Sequence, residues 1–137
     1  MRRSGKTTPI EQALQGFRGF SELAPEDIRL LAGAGKERTV AEGRELLREG
    51  ESGVGFHVIL EGEAVVTRGG EEVSRLEQGA FFGEIALIDE HARTASVTAT
   101  TPVRLLSIPS GAFSQALDRS PRFGKMLLRE LARRMRT

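Results

Sequence analysis

Short apolar or alternating runs, separated by glycine and acidic residues, fill the chain from Lys36 to Ile108. This pattern is typical of an antiparallel β fold, because each run matches the two-residue period of a strand and each glycine suits a turn. Candidate strands cover residues 37–40, 45–48, 56–60, 63–68, 72–76, 94–100 and 103–108, and Gly69-Gly70 is a two-residue hairpin signal. About seven or eight short strands at this spacing predict a jelly-roll-like barrel.

The N-terminal flank has helical rather than strand spacing. Residues 1–9 carry basic side chains and no periodic apolar residue, so we interpret them as a mobile arm. Residues 10–20 place apolar side chains at helical or loop-like intervals, and residues 21–27 predict the start of a helix. Gly33 and Gly35 are expected to end that helix.

The C-terminal flank predicts two more helices. Ser110 is a plausible N-cap for a helix through Leu117, and Ser120-Pro121 predicts the start of another with proline in its first turn. On this last helix, steps of four, four and three place four side chains on one face: Phe123, Leu127, Leu131 and Arg134.

The composition limits the classes of protein to consider. A chain of 137 residues has room for one domain, which we place at residues 10–137, with the β region at about 36–108 and the C-terminal helices at about 110–136. The absence of cysteine excludes disulfides and thiol chemistry, and a net charge of +1 gives no global field for nucleic acid or membrane. Because no long apolar stretch is present, we expect no signal peptide or membrane span and a cytoplasmic protein.

Residues 82–97 combine a glycine turn, a carboxylate, a helix start and an arginine. Gly83 permits backbone conformations that other residues resist, and residues 84–88 can begin a short helix whose N–H groups point at an anion. Glu84 can accept a hydrogen bond from a sugar hydroxyl, while Arg93 offers a planar fork to phosphate oxygens. This combination suits a small phosphorylated sugar.

A structural interpretation of the same residues stays open. Glu84 could stabilise only the N-terminus of the helix, and Arg93 could pair with Glu84 or with Asp89.

The segment resembles the phosphate-binding cassette of cyclic nucleotide-binding domains, which occur in catabolite activator proteins, cAMP-dependent kinase regulatory subunits and cyclic nucleotide-gated channels. The family pattern F-G-E, then aliphatic and small residues, then R-[STA]-A-[ST]-V fits residues 82–97 without a gap. The resemblance runs from about Phe17 to Arg136. Glu51 and His57 stand where the family often has aspartate and tyrosine, and neither position is usually a ligand contact.

The resemblance implies a mainly β fold with flanking α-helices. Its centre would be an eight-stranded jelly-roll β-roll, also called a double-stranded β-helix. An N-terminal helical segment, a short phosphate-cassette helix and two C-terminal helices would complete it, and the last helix would close over the ligand as a lid.

The resemblance also implies ligand contacts. Arg93 and the backbone N–H groups of Ile85 and Ala86 would hold the phosphate, and Glu84 would accept the ribose 2′-hydroxyl. The Thr94 hydroxyl can reach phosphate and base. The full predicted ligand-binding set is Val66, Phe82, Gly83, Glu84, Ile85, Ala86, Arg93, Thr94, Ala95 and Arg134.

Several of these positions also have a purely structural explanation. Thr94 could simply open a strand. Ala95, in contrast, is small, as the resemblance requires where the ligand backbone passes close. Val66 and Val73 would line the base pocket or belong only to the core. Arg134 would stack on a purine or remain a solvated arginine at the helix end.

The function implied by the resemblance is binding of a 3′,5′-cyclic mononucleotide, with cAMP as the first candidate and cGMP as the alternative. The protein would be a stand-alone cytoplasmic sensor or regulatory subunit in signal transduction. The nucleotide would be a ligand, with no cofactor and no catalysis. The output would pass to an unknown effector protein or to self-association. DNA-binding relatives carry a helix-turn-helix domain after this point, where the present sequence stops, so we expect no DNA-binding domain. We interpret the basic residues of 119–136 as a solvated helix face.

Two alternatives remain. One is a non-sensing interaction module of the same fold. The other is a cupin-like small-molecule or metal protein, but cupin sites need several converging histidines, and this chain has only His57 and His91 without a paired H-x-H. We therefore predict no metal site and no catalytic residues, and interpret both histidines as surface or partly packed.

Overall fold

The computed structural model describes residues 7–47, 55–83 and 95–135. Across these ranges, eight strands form two four-stranded antiparallel sheets. The first sheet has the order β1-β8-β3-β6 and the second β2-β7-β4-β5. The strands are β1 (Lys36–Val40), β2 (Glu45–Leu47), β3 (Phe56–Glu61), β4 (Ala64–Arg68), β5 (Glu71–Leu76), β6 (Phe81–Phe82), β7 (Ser96–Ala99) and β8 (Val103–Ile108). The predicted mainly β fold is confirmed.

Helices precede and follow the strands in the sequence. They are α1 (Pro9–Gln15), a short 3-10 helix (Phe20–Glu22), α2 (Pro25–Ala34), α3 (Ser110–Arg119) and α4 (Pro121–Met135). The N-terminal helical segment and the two C-terminal helices are therefore present as predicted. Along the described ranges, no helix is both long enough and apolar enough to cross a membrane.

Caps explain where the N-terminal helices begin. Helix α1 starts at Pro9, inside the predicted mobile arm, because the Thr8 hydroxyl accepts a 3.2 Å hydrogen bond from the Glu11 N–H. The Asp27 carboxylate accepts one of 3.2 Å from the Ala24 N–H at the start of α2. Gly33 lies within α2 rather than ending it, and Gly35 follows the helix as its C-cap.

The two C-terminal helices are joined by one residue, Ser120. Its hydroxyl, buried at 1% exposure, accepts a 3.1 Å hydrogen bond from the Phe123 N–H, so the predicted start of α4 is confirmed. The prediction for Ser110 is wrong. Ser110 is the first residue of α3 and Pro109 takes the N-cap position, because the extended backbone of Pro109 ends the preceding strand.

The first sheet separates two hydrophobic clusters. The outer cluster lies between this sheet and the helices and includes Phe20, Phe56, Leu106 and Phe123. The inner cluster fills the space between the two sheets and includes Ile59, Phe82, Val97 and Leu105. Successive residues of a strand point to opposite faces, so β3, β6 and β8 each contribute to both clusters.

The predicted strands agree with the observed ones to within two residues at each described end. The difference is β6, whose two residues pair with β3. A run this short has no periodicity that a sequence pattern can detect.

Candidate functional site

The dipeptide Phe81-Phe82 of β6 leads directly into the segment predicted to bind phosphate. Phe81 faces the helices, and its ring lies 5.9 Å from that of Phe20 and 5.3 Å from that of Phe56. Phe82 faces the inner cluster and stacks on the imidazole of His57, with ring centroids 5.0 Å apart and planes at 28°. One short strand therefore connects the helix layer to the interior of the β-roll.

Gly83 follows with a backbone conformation that requires glycine. Its φ is 96°, in the left-handed region, and a Cβ atom there would overlap the carbonyl oxygen of Gly55. Both facts restrict the backbone at Gly83, the last described residue before the predicted cassette helix.

The far end of the predicted cassette returns to the same buried cluster. Ala95 is partly buried, and β7 follows with Val97 in the inner cluster beside Phe82. Val66 on β4 pairs with Val97 and packs against that cluster. Phe82 and Val97, which lie on either side of the predicted cassette, thus belong to one buried cluster between the two sheets.

The structure describes only part of the predicted ligand-binding set. Phe82, Gly83, Val66 and Ala95 have the positions given above. The predicted cassette helix lies outside the described residues, together with Glu84, Ile85, Ala86, Arg93 and Thr94. Val73 on β5 is 52% exposed, so it does not form a buried wall with Val66.

Arg134 lies on Phe81. Its Nη2 atom donates a 2.6 Å hydrogen bond to the Phe81 carbonyl oxygen, and its guanidinium carbon is 4.6 Å from the centre of the Phe81 ring. The predicted apolar face of α4 is confirmed, since Phe123 and Leu127 are buried. Arg134 continues that face towards the strand that precedes Gly83.

A cavity of about 350 Å³ adjoins this contact. Its lining includes Arg18, Arg75, Gln78, Glu130 and Arg134, so the end of α4 meets the β5–β6 connection across an open, mainly basic space.

His57 is buried, at 7% exposure, which corrects the interpretation of it as a surface or partly packed residue. Its Nδ1 atom is hydrogen-bonded to the Ser107 hydroxyl at 2.9 Å. Burial, with the positive charge of Arg38 as a second cause, lowers the pKa of His57 to about 4. The imidazole is therefore neutral at pH 7. His91 lies outside the described residues.

The basic face of α4 is partly ion-paired. Arg129 contacts Glu22 at 2.8 Å, and Arg133 contacts Glu130 at 3.3 Å. Within residues 7–47, 55–83 and 95–135, no group of three or more acidic or histidine side chains is placed to hold a metal ion.

Comparison with known families gives the identity of the fold. The profile of the cyclic nucleotide-binding domain family matches residues 37–120. The chain belongs to this family. The match begins in β1 and ends at Ser120, so it takes in both sheets of this cyclic nucleotide-binding domain and all of α3.

Individual relatives carry the same domain in different contexts. This domain is 36% identical over 100 residues to a cAMP-dependent protein kinase regulatory subunit from Yarrowia lipolytica, a match that covers 72% of this chain and 27% of that subunit. It is 36% identical over 107 residues to a cyclic nucleotide-gated potassium channel from Mesorhizobium japonicum, covering 78% of this chain and 30% of the channel.

A solved structure agrees with these matches. The crystal structure of Thermus thermophilus catabolite activator protein superimposes with a TM-score of 0.77 at 30% identity, covering 86% of this chain and 58% of that protein. The chain therefore spans only 27%, 30% and 58% of the length of these three proteins.

The sequence analysis did not single out Phe81 and did not predict the burial of His57. Phe81 was missed because its partner, Arg134, is 53 residues away in sequence. The burial of His57 was missed because one histidine in an apolar strand carries no motif. The alternation of Phe81 and Phe82 before a glycine is the signal that could have indicated a strand joining two layers.

Proposed function

We propose that this domain binds a 3′,5′-cyclic mononucleotide, with cAMP as the first candidate, and acts as a sensor or regulatory unit. The observation that carries the proposal is that the intact F-G-E…R-T-A-S-V motif of residues 82–97 has its first and last residues, Phe82 and Val97, in one buried cluster, in a chain that belongs to the cyclic nucleotide-binding family. The named ligands of the kinase subunit and channel relatives support the same ligand class.

Each chemical group of the ligand has a proposed partner. Arg93 and the N–H groups of Ile85 and Ala86 take the ring phosphate, and Glu84 takes the 2′-hydroxyl. Thr94 and Ala95 follow the phosphate contact, and Val66 lies beside the base. An anionic phosphate suits both the guanidinium fork and a helix N-terminus.

Transmission of the signal is assigned to α4. In the structure Arg134 contacts Phe81, and in the proposed mechanism stacking on a purine draws Arg134 away from that contact. A ligand that prefers the displaced arrangement shifts the equilibrium by its difference in affinity for the two states. The effector is a second protein or another copy of the domain, and the setting is the cytoplasm.

Titration calorimetry with cAMP, cGMP and non-cyclic AMP tests this function. We expect saturable binding of at least one cyclic nucleotide and much weaker binding of AMP, because its phosphate is dianionic and not tied to the 3′-oxygen. No heat with either cyclic nucleotide, from protein that unfolds cooperatively, would reject the proposal.

Hydrogen exchange tests the assignment of α4. On addition of the nucleotide, amides of residues 122–134 should exchange more slowly, together with those of residues 83–94. Protection restricted to residues 83–94 would show that α4 does not respond to the ligand.

A further inference from the structure

His57 is held from two sides. Ser107 of β8 and Phe82 of β6 are its cross-strand neighbours on the two flanks of β3. Ser107 contributes a 2.9 Å hydrogen bond to Nδ1, and Phe82 contributes the stacked ring 5.0 Å away. The imidazole therefore has a fixed orientation in the sheet that carries the start of the predicted cassette.

The edge of the imidazole faces two glycines. A Cβ atom built on Gly83 would be 3.5 Å from His57 Cδ2, and one built on Gly55 would be 3.7 Å from His57 Cε1. Both are ordinary van der Waals distances for an added carbon, so each glycine lies one carbon atom back from the ring edge. A tilt of the imidazole therefore reaches Gly83, the last described residue before the cassette, through Phe82, which stacks on the ring and directly precedes Gly83.

We propose that His57 is a positioning residue for the phosphate-binding segment, whose flat imidazole supports Phe82 and Gly83 and so directs the backbone into residue 84. The proposal rests on the proposed cyclic nucleotide binding. His57 does not contact the nucleotide in this scheme. It acts on Phe82 and, through Phe82, on Gly83, the last described residue before the predicted phosphate contacts.

The chemistry required of residue 57 is a flat, neutral ring. Flat faces permit the offset stacking with Phe82, whereas an aliphatic side chain of similar volume leaves the Phe82 ring free to tilt. Burial is the main cause that favours the neutral imidazole packed on Phe82, and the positive charge of Arg38 on β1 is the second cause.

Three variants separate positioning from plain stability. His57→Phe keeps a flat ring, His57→Leu keeps the volume without it, and Leu106→Val perturbs the buried outer face of β8 away from Phe82. For each one, the backbone amide resonance of Gly83 is recorded without ligand, the Kd for cAMP and cGMP is measured by calorimetry, and unfolding is followed in urea.

We expect His57→Leu to shift the Gly83 amide resonance and raise Kd by about three- to tenfold, the range that corresponds to one lost aromatic pair. His57→Phe should keep the Gly83 resonance and stay within about twofold of the wild-type Kd. Leu106→Val should unfold at lower urea with both other readouts unchanged.

Two results would overturn the proposal: an unmoved Gly83 resonance in His57→Leu, or a loss of affinity in Leu106→Val as large as in His57→Leu. If His57→Leu does not fold, Ser107→Ala removes the Nδ1 partner and should shift the same resonance by a smaller amount. Its failure to do so would equally count against the proposal.

The same measurements distinguish failure of the proposed binding function from failure of the proposed role of His57. If the wild type binds neither cyclic nucleotide, the binding function is rejected, whereas the Gly83 resonance still decides whether His57 sets the backbone path.

Discussion

Arg134 Nη2 donates a 2.6 Å hydrogen bond to the carbonyl oxygen of Phe81, which joins the last turns of α4 to the strand that opens the phosphate-binding motif. The guanidinium also lies over the Phe81 ring. Phe81 is two residues before Gly83. A displacement of Arg134 is therefore expected to move the backbone close to Gly83, and a displacement of that backbone is expected to move Arg134.

Arg134→Ala should loosen the end of α4. The lost hydrogen bond and ring contact together are worth about 1 kcal/mol at this partly exposed position, which corresponds to roughly fivefold faster amide exchange over residues 130–134. Arg133→Ala is the matched control, since Arg133 pairs within α4 to Glu130. Equal exchange rates in the two variants would show that the Phe81 contact does not hold the helix.

Gly83→Ala should destabilise the fold more than Gly43→Ala. Both glycines have positive φ, at 96° and 88°, but no atom lies within 4 Å of a Cβ on Gly43. The control should therefore cost only the left-handed penalty of about 1–2 kcal/mol. Urea unfolding measures the difference, and similar costs for both variants would mean that the approach of Gly55 is relieved by a small backbone shift.

Arg93→Ala should weaken cyclic nucleotide binding far more than folding. Truncating one partner of a desolvated charge pair costs about 2 to 5 kcal/mol, or roughly 30-fold to several thousand-fold in Kd. Arg129→Ala, which removes the exposed pair with Glu22, serves as the control. Unchanged affinity in a cooperatively folded Arg93→Ala protein would remove Arg93 from the site.

Glu84→Gln should affect recognition of the sugar rather than the phosphate. The substitution keeps the shape but removes the charge that strengthens the bond to the 2′-hydroxyl, an effect of about 1.5 to 3 kcal/mol. Wild type should prefer cAMP over 2′-deoxy-cAMP, and the variant should largely lose that preference. A ratio of the two Kd values that is the same in both proteins would exclude Glu84 as the ribose contact.

The stability of the domain should depend on pH through His57. Its pKa is about 4 in the folded protein against 6.5 ordinarily, so between these values the unfolded chain binds a proton that the native protein does not. The free energy of unfolding therefore falls as pH drops from 6.5 to 4, by about 3 kcal/mol from this residue, since each pH unit is worth about 1.4 kcal/mol.

Comparison with His57→Phe isolates that contribution. Urea unfolding at pH 7 and pH 4 should show the variant losing about 3 kcal/mol less than wild type over the interval. Parallel losses in both proteins would mean that His57 does not resist protonation.

Much of the fold is local in origin and could be predicted from the sequence. Glycine turns and alternating runs define most strands, and Ser120-Pro121 defines the start of α4, because caps and turns depend on neighbouring residues. The motif at residues 82–97 likewise gives the ligand class through its resemblance to a family.

The rest depends on contacts between residues distant in sequence. Strand β6 exists because Phe81 and Phe82 pair with β3, and the burial of His57 follows from its position between β6 and β8. The sequence predicts which face of the last helix carries Arg134. It does not predict the contact of Arg134 with Phe81 on β6, because that contact forms only when the sheet and α4 pack together.

The outer strands also affect how the protein behaves in crowded solution. Strand β5 lies at the edge of the second sheet and carries the exposed, ion-paired Glu72 and Arg75, while β1 at the edge of the first sheet carries exposed charges from Lys36 to Arg38. An incoming strand from another copy would have to desolvate these charges, so edge-to-edge pairing through β1 or β5 is disfavoured. Two copies brought close together, for example by tethering to a common assembly, should therefore not merge their sheets through these two strands.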